Sequence, residues 1–344
     1  MRYVTTRSKE TTYDWLRALC DERAEDGGLY VPETLPRFTR EEIEALAMKN
    51  PNQAVADILN LFFDGELNRW DVDFSTGRYP VRLSSMVRRI AIAECWHNVD
   101  WEFDRTVSEL AGLIRGSKNR MENPGEWCGI AVRIAVLFGI FGELMRDGAA
   151  AADKKVDVAV PSGDFSAAMA VWYARGMGLP IGTIIICCNE NNNLWTLIRQ
   201  GEMRTGIGVK KTATPACDYA VPPGLERLAH ACGGYREAER FAQTAAEGKA
   251  YFPDEVTLKA MQEGIYVSVV SQSRVEATIP TIYKNHNYVF GPYSALCHAG
   301  LSDYRSHTGL GSYALILSER GALRDDAFVA RELNIAVATL HNIL

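Results

Sequence analysis

The chain has 344 residues, enough for one large domain or two, and its 47% hydrophobic and 23% charged content is ordinary for a folded globular protein. A formal charge of −6 gives no basis for expecting nucleic acid or an anionic membrane as a partner. Its eight cysteines include no CxxC pair, and the adjacent Cys187 and Cys188 read as inert core thiols, which fits a reducing cytoplasm.

Met1–Ala18 is mixed polar and charged, so no secretory leader is expected there. A helix is predicted over Thr11–Cys20, then an acidic turn and the extended "LYVPETLP". A second helix is predicted over Thr39–Met48, with Thr39 as N-cap and Glu41 and Glu42 in its first turn, and a third over Gln53–Phe63. Ile90–Ala93 reads as a strand and Trp101–Arg115 as a helix; a Gly/Asn/Pro-rich break follows. The apolar run Gly129–Met145 carries Arg133 and Glu143 and is too short for a membrane span, so Ile130–Met145 is read as a buried helix.

From there strands and helices alternate: strand Val156–Val160, helix Ser166–Gly176, strand Gly182–Cys188 and helix Leu194–Gln200. Helices Gly224–Ala231 and Pro253–Glu263, strand Ile265–Val270, helix Pro292–Leu301, strand Tyr313–Leu317 and a helix near Asp326–Arg331 complete the pattern. Such alternation predicts an α/β fold of three layers, with a mostly parallel sheet between helices.

In such a sheet ligands bind beyond the carboxyl ends of strands, and anions prefer helix N-termini. The turn Ser162-Gly163-Asp164-Phe165-Ser166 sits at that place. Gly163 permits close backbone approach, and Ser162 and Ser166 offer hydroxyls. Asp164 repels a phosphate unless its carboxylate turns away to cap the helix. By itself the turn is equally a plain corner between strand and helix.

The segment "VAVPSGDFSAAMAVWYARGMGLPI" resembles the phosphate-binding "VPSGNFGD" turn and its helix in the threonine synthase family, fold-type II pyridoxal-phosphate (PLP) enzymes. "DGGLYVPETLPRFTREEIEAL" (Asp26–Leu46) resembles that family's N-terminal signature. "CNENNNLWTLIRQGEM", with Asn189 and Asn191 at matching places, "TATPACDYAVPPGLERLAHACGG" and "FGPYSALCHAGL" resemble three further segments in the same order. The resemblance implies a threonine-synthase-like N-terminal region over 1–80 and a PLP-enzyme-like α/β domain over 81–344.

The family joins its cofactor to a lysine in a segment of the type "ELFHGPTLAFKDFG". Its counterpart here is "AECWHNVDWEFDRTVSEL", in which His97 and Phe103 match, Asp104 stands at the lysine and Arg105 at the aspartate. No lysine occurs between Lys49 and Lys118. A carboxylate cannot form an imine, and a guanidinium keeps its proton. The smaller substrate domain of the family is expected to be missing near 114–126, and Ser318 is the residue left to face a pyridine nitrogen.

These losses lead to the expectation of no cofactor. The first-ranked reading is a PLP-independent enzyme acting on a small amino-acid-like or phosphorylated, hence anionic, ligand. In it Ser162–Ser166 hold the anion, with Asn189 and Asn191 nearby, and His97 moves protons with Asp100 or Asp104. A catalytically inactive binding module comes second, and a protein holding PLP non-covalently comes third. The cluster His97, Asp100, Glu102, Asp104 and Arg105 is also open to a solvated-face reading and to a metal reading. A homodimer covering the shortened face is expected, with Trp96 and Trp101 covering apolar surface.

Overall fold

The computed structural model describes residues 1–73, 78–82, 89–95, 102–309 and 311–344. Strand β1 (Tyr3–Thr5) pairs antiparallel with β2 (Tyr30–Pro32), and helix α1 (Trp15–Cys20) lies between them in sequence. Helix α2 (Arg40–Ala47) starts at Thr39 with a full capping box: Glu42 N–H donates to Thr39 Oγ1, and Thr39 N–H donates to Glu42 Oε2 at 2.7 Å. Helix α3 (Pro51–Phe63) has proline in its first turn and seven buried side chains.

Among the described residues the main sheet has six strands. Strands β3 (Arg78–Arg82) and β4 (Ile90–Glu94) run antiparallel. Helices α4 (Phe103–Ile114) and α5 (Glu126–Arg146) follow, joined by residues 115–125. Strand β5 (Val156–Pro161), helix α6 (Ser166–Gly176), strand β6 (Ile181–Cys188) and helix α7 (Asn193–Gln200) then alternate. A small ribbon pairs β7 (Met203–Arg204) with β8 (Ala250–Tyr251), on either side of helix α8 (Leu225–Ala246).

Helix α9 (Glu255–Gln262), strand β9 (Ile265–Val269), helices α10 (Gln272–His286) and α11 (Pro292–Thr308) and strand β10 (Ala314–Ser318) come next. Helices α12 (Asp326–Leu333) and α13 (Val337–Ile343) finish the chain. The strand order is β3-β4-β10-β5-β6-β9, and all strands but β3 run parallel. The α/β class expected from the alternation is what the chain forms.

Both faces of the sheet are buried, which explains its near-continuous apolar strands. Val156, Val158, Val160, Ile184, Ile186 and Leu317 share one apolar cluster with α3, α5 and α6. Ile92, Ala159, Ile185, Cys187 and Ile316 share the other with α10, α11 and α12. Helix α11 can lie close because Gly300 faces Cys187; a Cβ there would come within 2.4 Å of its sulfur.

At 21 residues helix α5 is longer than expected and, contrary to the expectation that it is too short, long and apolar enough to cross a membrane; 78% of its apolar window is nevertheless buried inside the fold, as the buried-helix reading expects. The N-terminal residues share its core. Trp127 of α5 meets Tyr3 and Phe62 edge-on, and buried Glu226 of α8 accepts from Arg7 Nε at 3.2 Å and from Thr6.

Candidate functional site

Strands β5 and β10 are neighbours, so their carboxyl ends open on one place. The start of α4 is stitched to the end of β10: Phe103 N–H donates to Glu319 O at 2.9 Å, and Glu102 bridges Arg320. Between these ends lies a cavity of about 280 Å³. One wall is Pro161–Asp164 with Ala167; the facing wall is Glu102, Phe103, Asp104, Arg133, Glu319 and Arg320. Ala216, Cys217, Tyr219 and Tyr293 close the side.

The first wall has the geometry of an anion cradle. Gly163 and Phe165 adopt left-handed backbone, at φ 46° and 81°. Beyond Gly163 the space is open: a Cβ there would meet only Ala216 O at 3.8 Å. Asp164 Oδ1 accepts from Ser166 N–H at 2.9 Å, so the carboxylate is turned onto the helix start, as its sequence position requires for a phosphate cradle. Ala167, in the first turn of α6, lines the cavity, and its N–H has no acceptor within the helix. Phe165 and Ser166 themselves are buried beneath the turn. Cys217 lies beside the cradle, and burial pushes its thiol up to about 11 although Gly163 N–H and the Ser162 hydroxyl sit against it.

The facing wall is charged. Arg133 donates to Glu319 through Nε and Nη2, both at 2.8 Å, and its Nη1 donates to Gly129 O. Burial opposes the charge on Arg133, but the Glu319 carboxylate outweighs it and holds the guanidinium protonated. Asp104 lies 3.6 Å from the same guanidinium, with its side chain 85% exposed to the cavity and solvent. Arg320 pairs with Glu102 and donates to Asp325 at 2.9 Å; Arg324 reaches Glu102 at 3.2 Å. Tyr293 accepts from Ala216 N–H at 3.0 Å, which fixes the side of the cavity, and burial pushes its hydroxyl up to about 12.

The structure thus brings Ser162, Gly163, Asp164 and Asp104 to one cavity. It does not bring Asn189, Asn191, Ser318 or Arg105 there. Asn189 donates to Thr212, Thr214 and Asp218, and Asn191 to Lys210 O and Asp218; together they fasten the loop over 210–218. Ser318 is buried against Ser294 at 3.0 Å, because Leu317 and Glu319 take the cavity-facing positions. Arg105 points outward, 3.7 Å from Glu109. His97 and Asp100 lie outside the described residues, as do Trp96 and Trp101. Among the described residues no group of three His, Cys, Asp or Glu side chains is placed to hold a metal ion.

Arg133, Glu319, Tyr219 and Cys217 were missed as site residues. Arg133 carried a signal: a charge inside an apolar helix needs a buried partner. Glu319, far along the chain, could not be named as that partner before the fold placed it.

Similarity to known proteins agrees with this fold. The family model "Threonine synthase N terminus" matches residues 2–74. The threonine synthase of Pseudomonas aeruginosa is 22% identical over 86% of this chain and 83% of its own length. The human protein "Threonine synthase-like 1" is 25% identical over 57% of this chain, but only 26% of its own length is matched. The structure of PLP-bound threonine synthase from Brucella melitensis superposes with a TM-score of 0.83 and 20% identity, covering 100% of this chain and 94% of that one. Yeast threonine synthase gives 0.82 and 18%, covering 97% and 90%. The expectation of no cofactor is corrected here. A relative with this fold across the whole chain holds PLP.

Proposed function

We propose, for a chain that belongs to the threonine synthase family, that the cavity binds PLP reversibly through its phosphate and without a lysine link. The observation that carries this reading is Asp104. By sequence resemblance it takes the family's lysine position, and it lines the same cavity as Ser162–Asp164. No lysine lines that cavity among the described residues, and none of the residues outside the description is a lysine. Lys118 is exposed on the 115–125 connection.

The residues fit one end of the cofactor. Asp164 and Ala167 would supply backbone amides to the phosphate at the α6 N-terminus, with Gly163 leaving the space open. Phe103, Tyr219 and Tyr293 would flank the ring. When bound, PLP supplies an electron sink for chemistry next to an amine. The chain's own residues position the ligand: Arg133 holds Glu319, and Glu319 with Asp104 sets the charge of the far wall. Without an amine to exchange with the aldehyde, threonine synthesis is not expected.

Equilibrium dialysis against PLP tests the reading. We expect saturable, dialysable binding that inorganic phosphate displaces and Gly163→Val weakens at least tenfold. Absence of binding, or binding that phosphate leaves untouched, would refute it.

A further inference from the structure

We infer that this cleft selects phosphorylated ligands carrying an ammonium group, and so takes pyridoxamine 5′-phosphate in preference to the aldehyde form. The inference rests on the proposed function and adds the ligand's second recognition element.

Among the described residues, four carboxylates line the cavity, those of Glu102, Asp104, Asp164 and Glu319, against two guanidiniums, Arg133 and Arg320. Both guanidiniums are already committed. Arg133 is held two-pronged by Glu319, and Arg320 is shared between Glu102 and Asp325. Asp164 is turned onto Ser166 N–H. That leaves Asp104, whose contact with Arg133, at 3.6 Å, is longer than a hydrogen bond and whose side chain is open to the cavity. The cavity therefore offers amides at one wall and excess carboxylate at the other, which suits a ligand negative at one end and positive at the other.

An aldehyde gains nothing from a carboxylate: it carries no charge and no donor, and the two cannot condense. An ammonium in the same place makes charge-assisted hydrogen bonds. In a half-open cavity that difference corresponds to roughly tenfold in affinity.

Calorimetric titration with three probes tests this: pyridoxamine, pyridoxal and pyridoxine 5′-phosphates, which share the phosphate and differ in amine, aldehyde and alcohol. The amine is expected to bind roughly tenfold tighter than the other two. Asp104→Asn, a near-isosteric change at an exposed side chain, should erase that preference, leave the affinity for the aldehyde form unchanged and leave the thermal midpoint in place. Equal affinities for all three, or a preference that survives Asp104→Asn, would overturn the inference while the proposed function stands. Binding of none of the three would overturn both.

Discussion

The Pro161–Asp164 wall of the cavity is a strand end and turn, whereas the wall facing it is built mostly from charged side chains. At the first, where the sequence resemblance sets asparagine and glycine, Asp164 and Ser166 still form a turn and helix start beside the cavity, because every residue brings the same backbone. At the second, Asp104 stands where the sequence resemblance sets a lysine, and no lysine lines the cavity among the described residues. A site made of amides tolerates sequence change; a site made of one amine does not.

The largest expected effect breaks the side-chain wall. Arg133→Ala leaves the mostly buried Glu319 without its partner and should cost about 3 kcal/mol in urea unfolding, as loss of one member of a buried pair does. Replacing both, Arg133→Met with Glu319→Leu, should recover most of that loss; if the double variant is as unstable as the single one, the wall is not a charge pair in the sense described.

A pH scan separates this wall from acid sensitivity elsewhere. Burial pushes His230, half-buried on α8, down to about 4 from its ordinary 6.5. The unfolded chain therefore takes up a proton below 6.5 that the folded chain refuses until about 4. Stability should be full above 6.5 and fall by at most about 3 kcal/mol as pH drops toward 4. His230→Gln should flatten that slope, as read from thermal midpoints across the window.

The backbone wall should respond less. Gly163→Ala should cost about 1 kcal/mol, from left-handed backbone alone, since its Cβ would meet only an ordinary contact. Asp164→Ala should cost about 1 kcal/mol for the lost bond to Ser166 N–H, yet tighten phosphate binding by removing a negative charge from the cradle. Weaker phosphate binding by that variant would mean Asp164 organises the turn rather than opposing its ligand. Smallest of all, Asp104→Asn should shift stability by less than about 0.5 kcal/mol.

How far each wall was legible follows from the same contrast. Helix α6 was read with its observed limits, and the turn before it, because strand, turn and helix are consecutive. The Thr39 capping box was legible for the same reason. Helix α8 is predicted only as Gly224–Ala231; Gly234 does leave helical geometry, at φ 74°, but the chain resumes the helix to Ala246. Helix α10 was hidden by Pro280 inside it. The Arg133–Glu319 pair joins residues 186 apart, which only the β10–α5 packing brings together. Asn189 and Asn191 follow a strand end, as ligand-binding loops do, but their amides fasten a loop instead.

Mass spectrometry after incubation with PLP and borohydride reduction tests the central claim most directly. The wild-type chain should carry no pyridoxyl group on any lysine, while Asp104→Lys, which returns an amine to the wall facing the cradle, should acquire one at residue 104. A pyridoxyl adduct on a native lysine of the wild-type chain, saturating at one per molecule, would contradict the account.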